Sequence, residues 1–292
     1  MQMRSFLFIA ILFSCVTRLQ AQNANPKLDL PAATKAKNTF KPLVDFTGSL
    51  GAAHYYGDLT EDSKILSQPS FDISSGIAYY FSPKFSVKGN VSYMQVKAND
   101  SKNSRNDLKA RNLNFKSNII EVITAIEYDF INITGGNHKF APYIFTGVGI
   151  FHFSPTTVDR KGNKQKLSKL GTEGQGLPGF AAPYKTTGVV LPIGLGFKVN
   201  VQDNISLAME FNYRVTNTDY LDDVSGPVYP DQNLLAQKNP DLPGLAYRGD
   251  ELLGGKPYPG KFLPRGNPDK KDVYYTAQFR LSYRLKGKKA EE

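Results

Sequence analysis

Tryptophan is absent from this 292-residue sequence, cysteine occurs once and histidine three times. The one cysteine, Cys15, lies inside an N-terminal apolar stretch. A chain processed after that stretch has no thiol, no disulfide and no cysteine metal site. His54, His138 and His152 are dispersed, with no pair at metal-ligand spacing and no clear serine or cysteine nucleophile as a partner. That argues against a histidine-centred catalyst, since a lone histidine near a strand end is more often a polar rim residue. After the N-terminus no continuous apolar run approaches the ~20 residues that a membrane-spanning helix needs. If this chain enters a membrane, strands must put it there.

The first residues, MQMRSFLFIAILFSCVTRLQAQ, set Arg4 ahead of an apolar stretch over 6–16 and place Leu19-Gln20-Ala21 before Gln22. This is the three-part grammar of a secretory signal, so residues 1–21 are expected to be cleaved after Ala21. A lipoprotein reading, with Cys15 as the acylated first residue, is the alternative; Leu12 and Ser14 suit it and the bulky Phe13 does not. Residues 22–42, with Pro26, Pro31 and Pro42 and no periodicity, read as a flexible periplasmic segment. The formal net charge of +10 would suggest nucleic acid in a cytosolic protein, but export removes that partner. The basic residues are better matched to anionic outer-membrane lipid and lipopolysaccharide.

From residue 44 onward, period-two alternation recurs and helical periodicity does not. Eight strands are expected, over 44–56, 70–81, 85–97, 114–130, 140–154, 186–201, 205–216 and 273–285. Most have one greasy and one polar face: Val44, Phe46 and Leu50 oppose Asp45, Thr47 and Ser49, and Phe279, Leu281 and Tyr283 oppose Gln278, Arg280 and Ser282. The stretch 140–154 is apolar on both faces, so its orientation is open. Connections after the second, fourth and sixth strands are short, whereas 155–185 and 217–272 are far longer than a compact domain usually tolerates. Short turns alternating with long loops are the signature of an all-β, eight-stranded antiparallel transmembrane β-barrel, with turns in the periplasm and loops outside. It is also the smallest even-numbered barrel of that kind, placed in the bacterial outer membrane.

A soluble lipocalin-like barrel also alternates, but turns its apolar face inward. Here the polar parity carries Lys88, Glu121, Glu127, Glu210, Arg214, Arg280 and Arg284 in mid-strand, which suits a closed lumen where acids and bases satisfy one another. Two loop motifs stand out. In LGTEGQG, the glycines Gly171, Gly174 and Gly176 around Thr172 and Glu173 lack the Lys-Ser/Thr ending and the following helix of a phosphate loop. They read instead as a tight turn docking on the rim, with Glu173 accepting backbone N–H groups. In TDYLDDVSG, Asp219, Asp222 and Asp223 flank Tyr220 and could ligate Ca²⁺, but the spacing is not that of an EF-hand. Loop caps and salt bridges explain them better. Tyr56, Gly57 and Asp58 read as strand end and turn, with Asp58 available to an Arg or Lys of another loop. No cofactor and no catalytic set is expected.

Five stretches, GAAHYYGDL (51–59), RNLNFKSNIIEV (111–122), PYIFTGVGIFHFSP (142–155), LGTEGQG (170–176) and TDYLDDVSGPVY (218–229), together resemble the Bacteroidota outer-membrane barrel family that includes PorG of the type IX secretion system. The resemblance spans most of the mature chain. It implies an eight-stranded outer-membrane barrel and, for the PorG branch, association with periplasmic secretion-ring proteins. A Pro- and Lys-rich stretch over 230–271 and a basic periplasmic tail over 286–292 depart from the family pattern. The expected organisation is therefore a signal, a periplasmic segment, a barrel over 43–285 and that tail. Its expected role is structural and protein-binding, with an accessory part in type IX secretion. A passive pore, an orphan surface barrel and, more remotely, a membrane-embedded hydrolase are the alternatives. Mass spectrometry of the purified protein should find a mature start at Gln22; a diacylated Cys15 would overturn that expectation.

Overall fold

The computed structural model describes residues 40–64, 66–135, 138–260 and 263–285. The expected signal, most of the segment over 22–42, and the basic tail lie outside them. Strands form where the alternation predicts: β1 (Leu43–Tyr56), β2 (Ser70–Tyr80), β3 (Phe85–Asn99), β4 (Asn114–Asp129), β5 (Phe140–Val158), a three-residue β6 (Lys164–Lys166), β7 (Thr187–Gln202), β8 (Ile205–Thr216) and β9 (Val273–Arg284). The sheet runs β4-β3-β2-β1-β9-β8-β7-β5-β6, and a further β4–β5 pairing closes it. Every pairing is antiparallel, from Asp45↔Arg284 between the first and last strands to Asp129↔Tyr143 at the closure. The eight long strands are a closed barrel, with β6 extending a hairpin from β5 above the rim.

The closure makes sense of the two faces. Leu50 and Phe279, paired across β1 and β9, are 64 % and 71 % exposed, whereas Lys88 and Glu127 on the other parity are each 1 % exposed. In water this would be an inside-out protein; in hydrocarbon the backbone bonds are all made between strands and the apolar band meets lipid. No helix among the described residues is long and apolar enough to cross a membrane, so the crossing elements are the strands. The molecule is thus a transmembrane barrel of the bacterial outer-membrane type. Phe85, Tyr128 and Phe130 cluster on the outer wall near the short-turn end, with Phe85 and Tyr128 centroids 4.8 Å apart, where interfacial aromatics stand in for the missing tryptophan.

The strand with two apolar faces is resolved by its neighbours. Tyr143, Phe145, Phe151 and Phe153 of β5 point inward and Ile144, Val148 and Ile150 outward. Tyr143 and Phe145 lie across β7 at Gly196 and Gly194, where a Cβ would come within 2.4 and 2.1 Å of their rings. Glycine is required there because two bulky rings share a narrow lumen. The interior is consequently not polar throughout: in its upper half Tyr55, Met94, Phe115, Ile119, Phe151 and Phe153 form an apolar core.

Two expectations are corrected. The stretch over 155–185 starts as strand, not loop, since β5 continues to Val158 and pairs with β6. Pro155 is tolerated because it falls between His152, the last residue paired with β7, and Thr156, the first paired with β6. Short helices also occur, Asn106–Arg111, Gln232–Lys238 and Pro243–Ala246, below the length at which periodicity can reveal a helix. The departure over 230–271 carries its own small core of Leu235, Leu242 and Ala246, with Tyr229, Tyr247 and Tyr258 packed edge to face nearby. As a test of the lipid-facing assignment, Leu50→Arg near the middle of β1 should cost about 2–4 kcal/mol in a folding titration into lipid bilayers. An unchanged midpoint would place Leu50 away from hydrocarbon.

Candidate functional site

Two linked assemblies fill the barrel and its mouth. The lower is the charge network. Lys88 Nζ contacts Glu127 at 2.9 Å and Glu210 at 3.3 Å, and Arg280 reaches the same two carboxylates at 3.2 and 3.0 Å. Two bases and two acids thus alternate across the lumen, with the Tyr143 hydroxyl donating to Glu210 at 3.0 Å. Above them Arg214 meets Glu121 at 2.7 Å and donates to Thr276, while Tyr274 donates to the same glutamate. All these side chains are almost fully buried, so each charge depends on its partners: breaking such a pair leaves an uncompensated ion and costs about 3–5 kcal/mol.

Arg284 is the exception to the expected pairing. It forms a two-pronged ion pair with Asp45 at 2.8 and 3.0 Å at the short-turn end, not with a lumen glutamate. The reason is register: Asp45 lies directly opposite Arg284 between β1 and β9. Sequence reasoning also missed Lys198, which meets Glu127, Asp129 at 2.7 Å and the Tyr80 hydroxyl at 2.9 Å. The signal was present, since Lys198 is the polar residue between the outward Phe197 and Val199. An eight-stranded barrel has an interior just wide enough for side chains, and these fill it.

The upper assembly is a cap made by the loops, and it brings the two singled-out motifs together. Thr172 Oγ1 and the Tyr184 hydroxyl each donate to Asp223 at 2.5 Å. Glu173 accepts the Ser225 and Gly226 backbone N–H groups at 3.0 and 2.8 Å and forms an ion pair with Arg265. Tyr220 stacks on Tyr184, with centroids 4.2 Å apart and planes within 8°. Gly171, Gly174 and Gly176 all have φ between 74° and 83°, and Gly174 presses against the Phe180 ring, so this turn needs glycine for both conformation and space. Asp222 and Asp272 both contact the Tyr55 hydroxyl at the top of β1, at 2.5 and 2.9 Å. Gly57 leaves room for that junction, since a Cβ there would lie 1.9 Å from Asp272 Oδ1.

Other loops join the same cap. Arg111 forms a two-pronged pair with Asp100 and also donates to the backbone carbonyls of Arg265 at 2.8 Å and Asp58 at 2.9 Å, so one guanidinium ties three loops. Nothing local in the sequence distinguishes Arg111 from other loop arginines. The Asp58 carboxylate does not pair with an Arg or Lys of another loop as expected; it accepts the Asn267 backbone N–H at 3.0 Å. Tyr56 donates to Asp62 at 2.5 Å on the exposed rim.

Electrostatically the cap is an acid-rich junction. Burial pushes Asp223 up to about 7 despite the bonds from Thr172 and Tyr184, and burial with the like charge of Asp58 pushes Asp219 up to about 7. Burial opposes the Arg265 charge, but Glu173 beside it holds it above its ordinary range. Among the described residues no group of three or more His, Cys, Asp and Glu is placed to hold a metal ion, so the calcium reading of Asp219, Asp222 and Asp223 gains no geometric support. The histidines do not converge either: His54 stacks on Tyr275 and His152 meets Thr187 across neighbouring strands. Glu173→Ala removes one ion pair and the acceptor of two backbone N–H groups and strands the buried Arg265. The loops over 170–176 and 218–229 should become sensitive to protease, by ~3–5 kcal/mol of local stability, while the barrel keeps its heat-dependent shift on gels. Equal protease resistance of variant and wild type would show that Glu173 does not hold the cap.

No curated protein matches the chain. Among solved structures it is similar to Ail, the attachment invasion locus protein of Yersinia pestis, at 10 % identity over 84 % of this chain and 100 % of that one, with a TM-score of 0.40. It is similar to OprG from Pseudomonas aeruginosa at 11 % identity over 84 % and 96 %, TM-score 0.38, and to the outer membrane enzyme PagL at 10 % identity over 81 % and 97 %, TM-score 0.31. A family model matches residues 42–238, from the start of the barrel into the last long loop, and the chain therefore belongs to the family described as a domain of unknown function, DUF6089.

Proposed function

We propose that this protein is a non-catalytic, non-conducting binding scaffold of the outer membrane, whose loop cap presents surfaces outside the cell and whose short turns present a face to a periplasmic partner. The observation that carries this reading is the pairing of a side-chain-filled lumen with an ordered cap. The Lys88, Glu127, Glu210 and Arg280 cluster occupies the cross-section that a pore would need open. Moving those charges apart would uncover ions in a low-dielectric interior, so the cluster favours a closed barrel over a channel. The cap in turn organises 170–176 and 218–229 into fixed shapes instead of loose linkers, as binding loops on a rigid scaffold require.

Within this reading, the resemblance to the Bacteroidota barrels that include PorG makes an accessory role in type IX secretion the specific proposal, with periplasmic ring proteins as the partner and lipid and lipopolysaccharide as the surroundings. The protein would reach that site through the signal over 1–21. In a host that has the system, deleting the gene should reduce secretion of type IX cargo, and a pull-down from the periplasmic side should recover ring proteins. Normal secretion with no ring protein recovered would reject the secretion role. In planar bilayers the wild-type barrel should be electrically silent, and stable single-channel steps would reject the scaffold in favour of a pore.

A further inference from the structure

The tyrosine at the top of β1 presents a counting problem. Its hydroxyl lies 2.5 Å from Asp222 Oδ2 and 2.9 Å from Asp272 Oδ1. A hydroxyl has one hydrogen, so it can donate to only one of these oxygens. The far oxygen of each carboxyl is already occupied: Asp222 Oδ1 accepts the Val224 N–H and Asp272 Oδ2 the Leu221 N–H, both at 2.8 Å. With both carboxyls ionised, one near oxygen would face the phenol oxygen with no hydrogen between them. The contact is satisfied when one carboxyl keeps its proton and donates it to Tyr55 Oη, while Tyr55 donates to the other.

The cations around the pair are each bound to another group. Facing the pair are Asp58 from the β1–β2 loop, Tyr184 from the β5–β7 loop, Arg111 from the β3–β4 loop and Asp219 from the β8–β9 loop, with Glu173, Asp223, Arg265 and Lys271 around Asp219 and Tyr184 beyond them. Arg111 is committed to Asp100, Arg265 to Glu173, and Lys271 Nζ to the Pro268 carbonyl. Asp222 and Asp272 are each 2 % exposed or less, and the neighbouring Asp219 is 3 % exposed.

We propose that the loop cap is a proton lock: the closed cap holds at least one proton on the Asp222–Asp272 pair that the open cap releases, so that rising pH opens it. The lock joins the wall to the lid, since Tyr55 is the penultimate residue of the first strand, Asp272 immediately precedes the last, and Asp222 lies within the loop between β8 and β9. On opening, the carboxyl O–H breaks, the proton passes to solvent, and two hydrated carboxylates and an intact tyrosine hydroxyl remain. Burial raises Asp222 and Asp272 well above the carboxylate range, with neighbouring acids adding to it. Asp219 and Asp223, at about 7, act in the same direction. The sign follows: these acids bind protons more tightly when closed, so their stabilisation is fully present below the unfolded value of about 4 and is lost as pH rises through about 7 and beyond.

The test is amide hydrogen exchange by NMR on the full mature chain in lipid nanodiscs, corrected for intrinsic exchange. The opening constant at Leu221 and Val224 should rise by about tenfold or more per pH unit between about pH 6 and about pH 9, while the ladder amide of Leu207 stays level. Asp272→Asn supplies an amide that can donate to Tyr55 at every pH, so it should lower that slope by about one proton and keep the cap closed at alkaline pH. Infrared spectroscopy of the wild type at about pH 9, where Asp219 and Asp223 are ionised, should show the carbonyl band of a protonated carboxyl, removed by the same substitution. A wild-type opening constant independent of pH, or an unaltered slope in Asp272→Asn, overturns the proposal. Should that variant fail to fold, the wild-type slope and the wild-type infrared band decide it.

Discussion

A strand in hydrocarbon has no water to receive an unpaired N–H or C=O, and every other feature of this molecule answers to that condition. Closure of β4 on β5 satisfies the last ladder, and once the sheet is a cylinder each residue faces either lipid or lumen. The apolar parity can then be fully exposed without penalty, as at Leu50 and Phe279, because its solvent is the bilayer. The polar parity has the opposite problem. It is sealed in a tube too narrow for bulk water, so its charges must neutralise one another.

That second requirement shapes the interior. Glu127 is the hinge of the network, touched by Lys88, Lys198 and Arg280 from three different strands. Such pairs add little net stability over an apolar filling, but removing a member is costly. They therefore fix which strands face each other at which height more than they glue the barrel together. Higher up the filling changes to Tyr55, Phe115, Phe151 and Phe153, an ordinary apolar core on which the loop cap rests. The cap is thus seated on packed rings, and its polar bonds are made in a place already shielded from water.

Shielding gives the cap its chemical character. Carboxylates that would be ordinary surface acids on a loose loop become reluctant to ionise when Tyr55, Leu221 and Val224 close around them. Glu173 differs because Arg265 and two backbone amides accompany it into the interior. The same loop cluster therefore contains acids that are paired with a cation, Glu173 and Asp100, and acids that are not, and the difference lies in what each faces.

Much of this was legible in the sequence, because alternation has a period of two and a barrel has two faces. Strand positions, the inward direction of Glu121, Glu127, Glu210, Arg214 and Arg280, and the contrast of short turns with long loops follow from parity alone. Parity is silent where both faces are apolar, so β5 could be oriented only when Gly194 and Gly196 of β7 offered space for its rings. It is also silent about register, which gave Arg284 to Asp45, and about which loops meet. The glycines and acids of 170–176 and 218–229 could be recognised as unusual, but the bonds of Asp223 to Thr172 and Tyr184, and of Tyr55 to Asp222 and Asp272, join residues tens to hundreds of positions apart. Sequence determines the direction a strand residue faces through local geometry; only closure of the chain upon itself decides which distant groups are buried together, and hence which acids meet a cation and which meet another acid.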